Sequence, residues 1–118
     1  MEKFYKPNTI AILFNEKLNE SENLANKIKN DISDDFEVFV QSVAFALDNN
    51  LPSNPDLLIS IGGDGTILRC AKVLNGTNCP ILGINMGNLG FLCEIESNDV
   101  DSKLQKYLSS MIIFFFFF

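Results

Sequence analysis

The segment Gly62-Gly63-Asp64-Gly65-Thr66 constrains the fold of this chain more than any other feature of its sequence. It directly follows the apolar run 57–61 and directly precedes a helical pattern over 67–74. Glycine lets the backbone approach a ligand closely, and the first N–H groups of a helix have no partner within the helix. The sequence therefore predicts a buried strand, a glycine turn and a helix N-terminus, with phosphate as the natural ligand.

Asp64 is the unusual member of this turn, because a carboxylate does not help to hold a phosphate. Its presence favours proton abstraction or magnesium binding beside the phosphates. The chain has no histidine, which excludes Ser-His-Asp and Cys-His chemistry and leaves carboxylates, Arg, Lys and backbone donors. The alternative is that Asp64-Gly65 is an ordinary turn. The position after a buried strand disfavours it, because ligands of open α/β sheets lie at that edge.

Composition indicates one globular domain. The chain has 118 residues, of which 47% are hydrophobic and 20% charged. Its net charge of −6 argues against a nucleic-acid partner, which needs a basic surface. No apolar run approaches the roughly 20 residues that cross a bilayer, and we see no signal peptide, so we expect no membrane association and a cytoplasmic location. The three cysteines show no CxxC spacing and are expected to be reduced, buried apolar residues.

Strand and helix patterns alternate along the chain. Apolar runs predict strands at 9–14, 36–40, 57–61 and 80–84. Helices are predicted from a cap at Ser21, within 43–55, at 66–74 with Asn75-Gly76 as C-cap, and near 99–108. This order predicts an α/β domain, a mostly parallel sheet with flanking helices, over residues 1–110. Residues 111–118, which end in five phenylalanines, are expected to form an aberrant apolar tail outside the domain.

A second glycine-rich turn, 85–90, follows the predicted strand 80–84. Two such turns at one sheet edge would face each other across a cleft. Phe91 could stack on a base at the rim or could be a core aromatic. Arg69 could reach a phosphate or ribose or could be a solvated surface residue. Neither G-x-x-x-x-G-K-[ST] nor G-x-G-x-x-G is present, so the two commonest nucleotide-binding motifs are excluded.

Together, the segments 62–66 and 85–91 resemble the GGDG[TN] and N-x-G-x-L-G-F motifs of the NAD kinase family. GGDG alone is shared with diacylglycerol kinases, sphingosine kinases and phosphofructokinases, and the second segment narrows the match. The resemblance covers about residues 7–108. It implies the Rossmann-like N-terminal domain of such a kinase, and the C-terminal β-rich domain of the family is not found in these 118 residues.

The resemblance also implies an activity and a site. The activity is transfer of the γ-phosphate of ATP, with Mg²⁺, to the 2′-hydroxyl of the adenosine ribose of NAD, in a full-length protein expected to be a homo-oligomer. Asp64 would be the general base, and Asp64, Gly65, Arg69 and Phe91 would contact NAD. The full set of implied binding residues is Gly62, Gly63, Asp64, Gly65, Thr66, Arg69, Asn85, Gly87 and Phe91. The alternatives are a lipid kinase of the diacylglycerol kinase type and a non-catalytic dinucleotide-binding domain.

Overall fold

The computed structural model describes residues 2–4, 7–86, 95–100 and 112–114. Within these ranges the chain forms seven strands, three α-helices and a short 3-10 turn at Ser97–Asp99. The strands are β1 Glu2–Phe4, β2 Thr9–Phe14, β3 Glu37–Ser42, β4 Leu57–Gly62, β5 Ile81–Asn85, β6 Ile95–Glu96 and β7 Ile112–Phe114. The helices are α1 Ser21–Ile32, α2 Val43–Asn49 and α3 Asp64–Leu74.

Five strands form a parallel sheet in the order β3-β2-β4-β5-β6. The chain thus moves outward from β2 to β3 and then crosses back past β2 to β4. This is a doubly wound order, and its direction reverses between β2 and β4, where ligands of open α/β sheets bind. Separately, β1 and β7 pair as a two-stranded antiparallel sheet. The prediction of an α/β fold with a mostly parallel sheet is confirmed.

The central strands are buried because both faces of the sheet are covered. Every residue of β4 and β5 is buried, as is β2 from Ile10 onward, which explains their continuous apolar runs. Helix α1 packs on one face through Ala25, Ile28 and Ile32. Helices α2 and α3 pack on the other face, and their buried residues are Val43, Ala46, Ile67, Cys70 and Leu74.

The helix starts differ from the sequence prediction. Ser21 is not an N-cap: it is the first residue of α1, and its hydroxyl donates to the carbonyl oxygens of Asn15 at 2.7 Å and Leu18 at 2.9 Å. Helix α3 begins at Asp64, two residues before the predicted start of 66. Asn75, in the left-handed conformation at φ 49°, ends it as predicted. Strand β6 was not predicted, and the helix expected near 99–108 lies largely outside the described residues.

Cys70 and Cys79 are buried free thiols, as expected of small apolar residues. Burial raises the pKa of each thiol to about 12, and for Cys70 the neighbouring Ser60 hydroxyl and Arg69 charge only partly oppose this. Cys93 lies outside the described residues. We expect iodoacetamide at pH 8 to leave Cys70 and Cys79 unmodified in the native protein and to alkylate both in urea, as read by peptide mass mapping. Rapid native alkylation of either would contradict this burial.

No helix in the described part of the chain has the length and apolar character needed to cross a membrane.

Candidate functional site

The carboxyl ends of β2, β4 and β5 lie side by side. Gly62, the last residue of β4, is in register with Asn85, the last residue of β5. The N–H of Met86 donates to the Gly62 carbonyl at 2.8 Å. On the other side of β4, the N–H of Asn15 donates to the Ile61 carbonyl at 3.0 Å. The parallel register therefore brings the segments that follow these three strands to one edge of the sheet.

Gly62 is required by the packing of the turn itself. A Cβ atom at this position would lie 2.8 Å from the Cβ of Thr66 and would overlap its hydroxyl oxygen. Thr66 is only 3% exposed, so it has no space into which to move. The contact holds the first turn of α3 against the end of β4, and it explains both residues of the motif without a ligand.

Gly63 and Gly65 have no such packing role. Among the described residues, no heavy atom lies within 4 Å of a Cβ built on either of them. Gly63 is the N-cap of α3, and its carbonyl accepts from Thr66 N at 3.2 Å and Ile67 N at 3.3 Å. The N–H of Gly65, in the first turn, has no carbonyl of an earlier turn to bond. As far as the described residues extend, open space thus lies above backbone donors at a helix N-terminus, which is the geometry that receives an anion.

Asp64 is the first residue of α3 and is partly buried. In the sequence it lies between the two glycines that border the open space. A carboxylate in the first helical turn is also favoured by the helix dipole, so its location fits a structural role as well as a catalytic one.

Asn85 places a buried amide at the same edge. The residue is 2% exposed, and its Nδ2 donates to Glu96 Oε2 at 2.9 Å. Its Oδ1 accepts no hydrogen bond from any described residue. Leaving a buried acceptor unpaired costs about 1–3 kcal/mol. The orientation that Glu96 gives this amide thus keeps an acceptor available to a donor from outside the described residues.

Arg69 connects α3 to the loop after β2. Its Nη2 lies 3.2 Å from Glu16 Oε1, and the two side chains are 33% and 30% exposed, respectively. Burial acts to raise the pKa of Glu16, but hydrogen bonds from its own backbone N–H, from Arg69 and from the N–H of Ala44 lower the pKa overall. Arg69 is thus anchored at the carboxyl edge of the sheet rather than freely solvated.

The predicted site residues that the structure describes lie at this edge of the sheet. Gly87 and Phe91 lie outside the described residues. Sequence reasoning did not select Glu16 or Glu96, although both follow or end strands at the carboxyl edge. The residues present are Gly62, Gly63, Asp64, Gly65, Thr66, Arg69 and Asn85.

Within the described residues, no three Asp, Glu, Cys or His side chains cluster in a way that could hold a metal ion. Asp64 is the carboxylate of the glycine turn, and one carboxylate does not form a protein metal site by itself.

A family model described as "ATP-NAD kinase N-terminal domain" matches residues 2–112. The chain belongs to the ATP-NAD kinase family. Annotated relatives named NAD kinase include those of Clostridium tetani, Clostridium beijerinckii and Flavobacterium johnsoniae. The first is 44% identical over 73 residues, 62% of this chain and 27% of the relative. The second is 37% identical over 102 residues, which are 84% of this chain and 36% of the relative. The third is 36% identical over 108 residues, which are 90% of this chain and 33% of the relative.

Two further facts place this ATP-NAD kinase family chain among its relatives. It spans about a third of the length of those three proteins. A solved structure of yeast NADH kinase complexed with NADH superposes with a TM-score of 0.56 at 18% identity. The match covers 88% of this chain and 38% of the yeast chain, and at this identity it supports the fold.

Proposed function

We propose that the full-length protein is an NAD kinase, which transfers the γ-phosphate of ATP to the 2′-hydroxyl of the adenosine ribose of NAD. The observation that carries the proposal is the open space above Gly63 and Gly65 at the switch point of the sheet. Neither glycine is needed to let the turn pack, so a closely approaching ligand accounts for their lack of side chains. Family membership supports a dinucleotide and ATP as the ligands.

We assign each residue of this edge a separate role in the reaction. Asp64 accepts the proton of the 2′-hydroxyl as that oxygen attacks phosphorus. The N-terminus of α3 receives phosphate oxygens through backbone N–H groups. Arg69 donates to the dinucleotide, and the Oδ1 of Asn85 accepts from a ligand donor. Magnesium bound to the triphosphate would neutralise part of its charge. Gly87 and Phe91 complete the dinucleotide side of the cleft, and we expect a homo-oligomer in the cytoplasm.

The test is product formation by the full-length protein. We expect NADP to form from NAD, ATP and Mg²⁺, measured by chromatography, with no labelled lipid formed from diacylglycerol. Parallel reactions with polyphosphate and with NADH define the donor and acceptor range. Phosphorylation of diacylglycerol without NADP would favour a lipid kinase. Tight NAD binding without turnover would favour a non-catalytic dinucleotide-binding protein.

We expect Arg69→Ala to raise the KM for NAD about tenfold, equivalent to about 1.4 kcal/mol. The reason is the loss of a charged hydrogen bond to the ligand. Folding stability should change by less than about 1 kcal/mol, because a partly exposed ion pair contributes little. Steady-state kinetics and thermal denaturation of the same preparation check both statements. An unaltered KM would return Arg69 to a surface role.

A further inference from the structure

Among the described side chains, the Arg69 guanidinium forms its hydrogen bond and ion pair with Glu16. The two residues are 53 positions apart in the sequence. Glu16 lies in the loop between β2 and α1, whereas Arg69 lies in the second turn of α3. The contact therefore crosses the switch point between β2 and β4.

Arg69 needs such a contact to reach the ligand edge. It lies five residues after Asp64, which places its Cα about 7.5 Å further along the helix axis. Helical side chains lean toward the N-terminus, but an arginine has many rotamers, and solvent would otherwise let it sample them. The ion pair with Glu16 holds the head group near the loop that follows β2.

The anchor leaves most of the guanidinium available. A guanidinium has five N–H donors, and the Glu16 contact uses Nη2. The Glu16 carboxylate also lies close to its own backbone N–H and to the N–H of Ala44 at the start of α2, and both help to lower its pKa. Glu16 thus contacts the start of α2 as well as Arg69 of α3.

We propose that Glu16 is a positioning residue for dinucleotide binding, which holds the Arg69 guanidinium at the switch point ready to contact NAD. The proposal rests on the proposed function, since it takes the dinucleotide as the ligand of Arg69. Preorganisation of this kind strengthens binding by reducing the entropy lost when the ligand is bound. It does not act on the reacting atoms, so the effect falls on the KM for NAD and not on kcat.

The test is Glu16→Gln in the full-length protein. Glutamine keeps an acceptor for the Ala44 N–H and removes the charge that holds Arg69. We expect the KM for NAD to rise 3- to 10-fold with kcat within twofold of wild type. The Arg69 Nε–H resonance should also show loss of order in nuclear magnetic resonance relaxation. The matched control is Glu37→Gln, which removes an exposed negative charge from the first residue of β3, at the opposite edge of the parallel sheet, and should change neither quantity.

A double-mutant cycle separates positioning from a general charge effect. In an Arg69→Ala background, Glu16→Gln should leave the KM unchanged, because the group that Glu16 positions is gone. An unchanged KM in the single Glu16→Gln variant, or the same rise in both backgrounds, would overturn the proposal while leaving NAD kinase activity intact. A wild-type protein that forms no NADP would instead overturn the proposed function, and the role of Glu16 in NAD binding with it.

Discussion

Asp64→Asn in the full-length protein is expected to lower kcat by roughly 10²–10⁴, the usual contribution of a general base. Asparagine keeps the shape of the side chain and its place in the first turn of α3 but cannot take the 2′-hydroxyl proton. The dissociation constant for NAD should change little, because the backbone donors and Arg69 remain. Single-turnover kinetics and equilibrium NAD binding measure the two quantities separately.

A structural role for Asp64 predicts a different result. If the carboxylate only favours the helix dipole, Asp64→Asn costs about 0.3–1 kcal/mol of stability and leaves turnover nearly normal. Thermal denaturation of wild type and variant therefore accompanies the kinetics. Near-normal kcat with a lowered melting temperature would remove Asp64 from the reaction and leave it as part of the helix start.

Gly62→Ala is expected to destabilise the fold by about 3 kcal/mol, the upper part of the range for forcing an extra carbon into a packed site. The new Cβ would overlap the buried Thr66 side chain, so the start of α3 must move away from the end of β4. Because Asp64 is the first residue of α3, activity should fall as well. Urea denaturation followed by circular dichroism gives the free energy of unfolding.

Gly65→Ala is the matched control, since it makes the same chemical change three residues later where no described atom lies within 4 Å. Alanine in a helix is more stable than glycine by roughly 0.5–1 kcal/mol, so the free energy of unfolding should stay constant or rise. NAD binding should nevertheless weaken, because the methyl group occupies the space that the ligand enters. A variant with unchanged NAD binding would show that the space at Gly65 is not used.

The sheet was predictable from the sequence because its central strands are buried on both faces. The prediction of 9–14 as a strand matches β2, and 57–61 falls one residue short of β4. Such runs are almost entirely apolar, as is typical of parallel strands covered on both faces. The start of α1 was not predictable, because the Ser21 hydroxyl donates to two carbonyls of the preceding loop, and only the folded loop places them there.

The part of the candidate site that is formed by neighbouring residues in the sequence was predictable. The part that is formed by residues from distant elements was not. The segment 62–66 contains its own explanation, because Gly62 contacts Thr66 within a single turn. The contact between Glu16 and Arg69 depends on the order of strands, and a glutamate in a polar loop has no distinguishing pattern. The same holds for the pairing of Asn85 with Glu96, which requires the parallel register of β5 and β6.

The crossing of the chain from β3 back past β2 to β4 has a consequence for how the protein folds. Strand β2 can pair with β4 only once the intervening chain, which contains α1, β3 and α2, has returned to the sheet.

 Residues that meet across this pairing are far apart in the sequence: the N–H of Thr9 donates to the carboxylate of Asp56, 47 positions later, at 3.0 Å. Contacts between such distant parts of a chain form slowly, because the loop between them must close first.

The switch point exists only once β2 and β4 are paired, so its ligand contacts depend on this long-range step. A dinucleotide that binds there recognises only chains that have finished this step. Ligand binding would therefore report completed folding of the domain, and it would draw the folding equilibrium toward the native state by mass action.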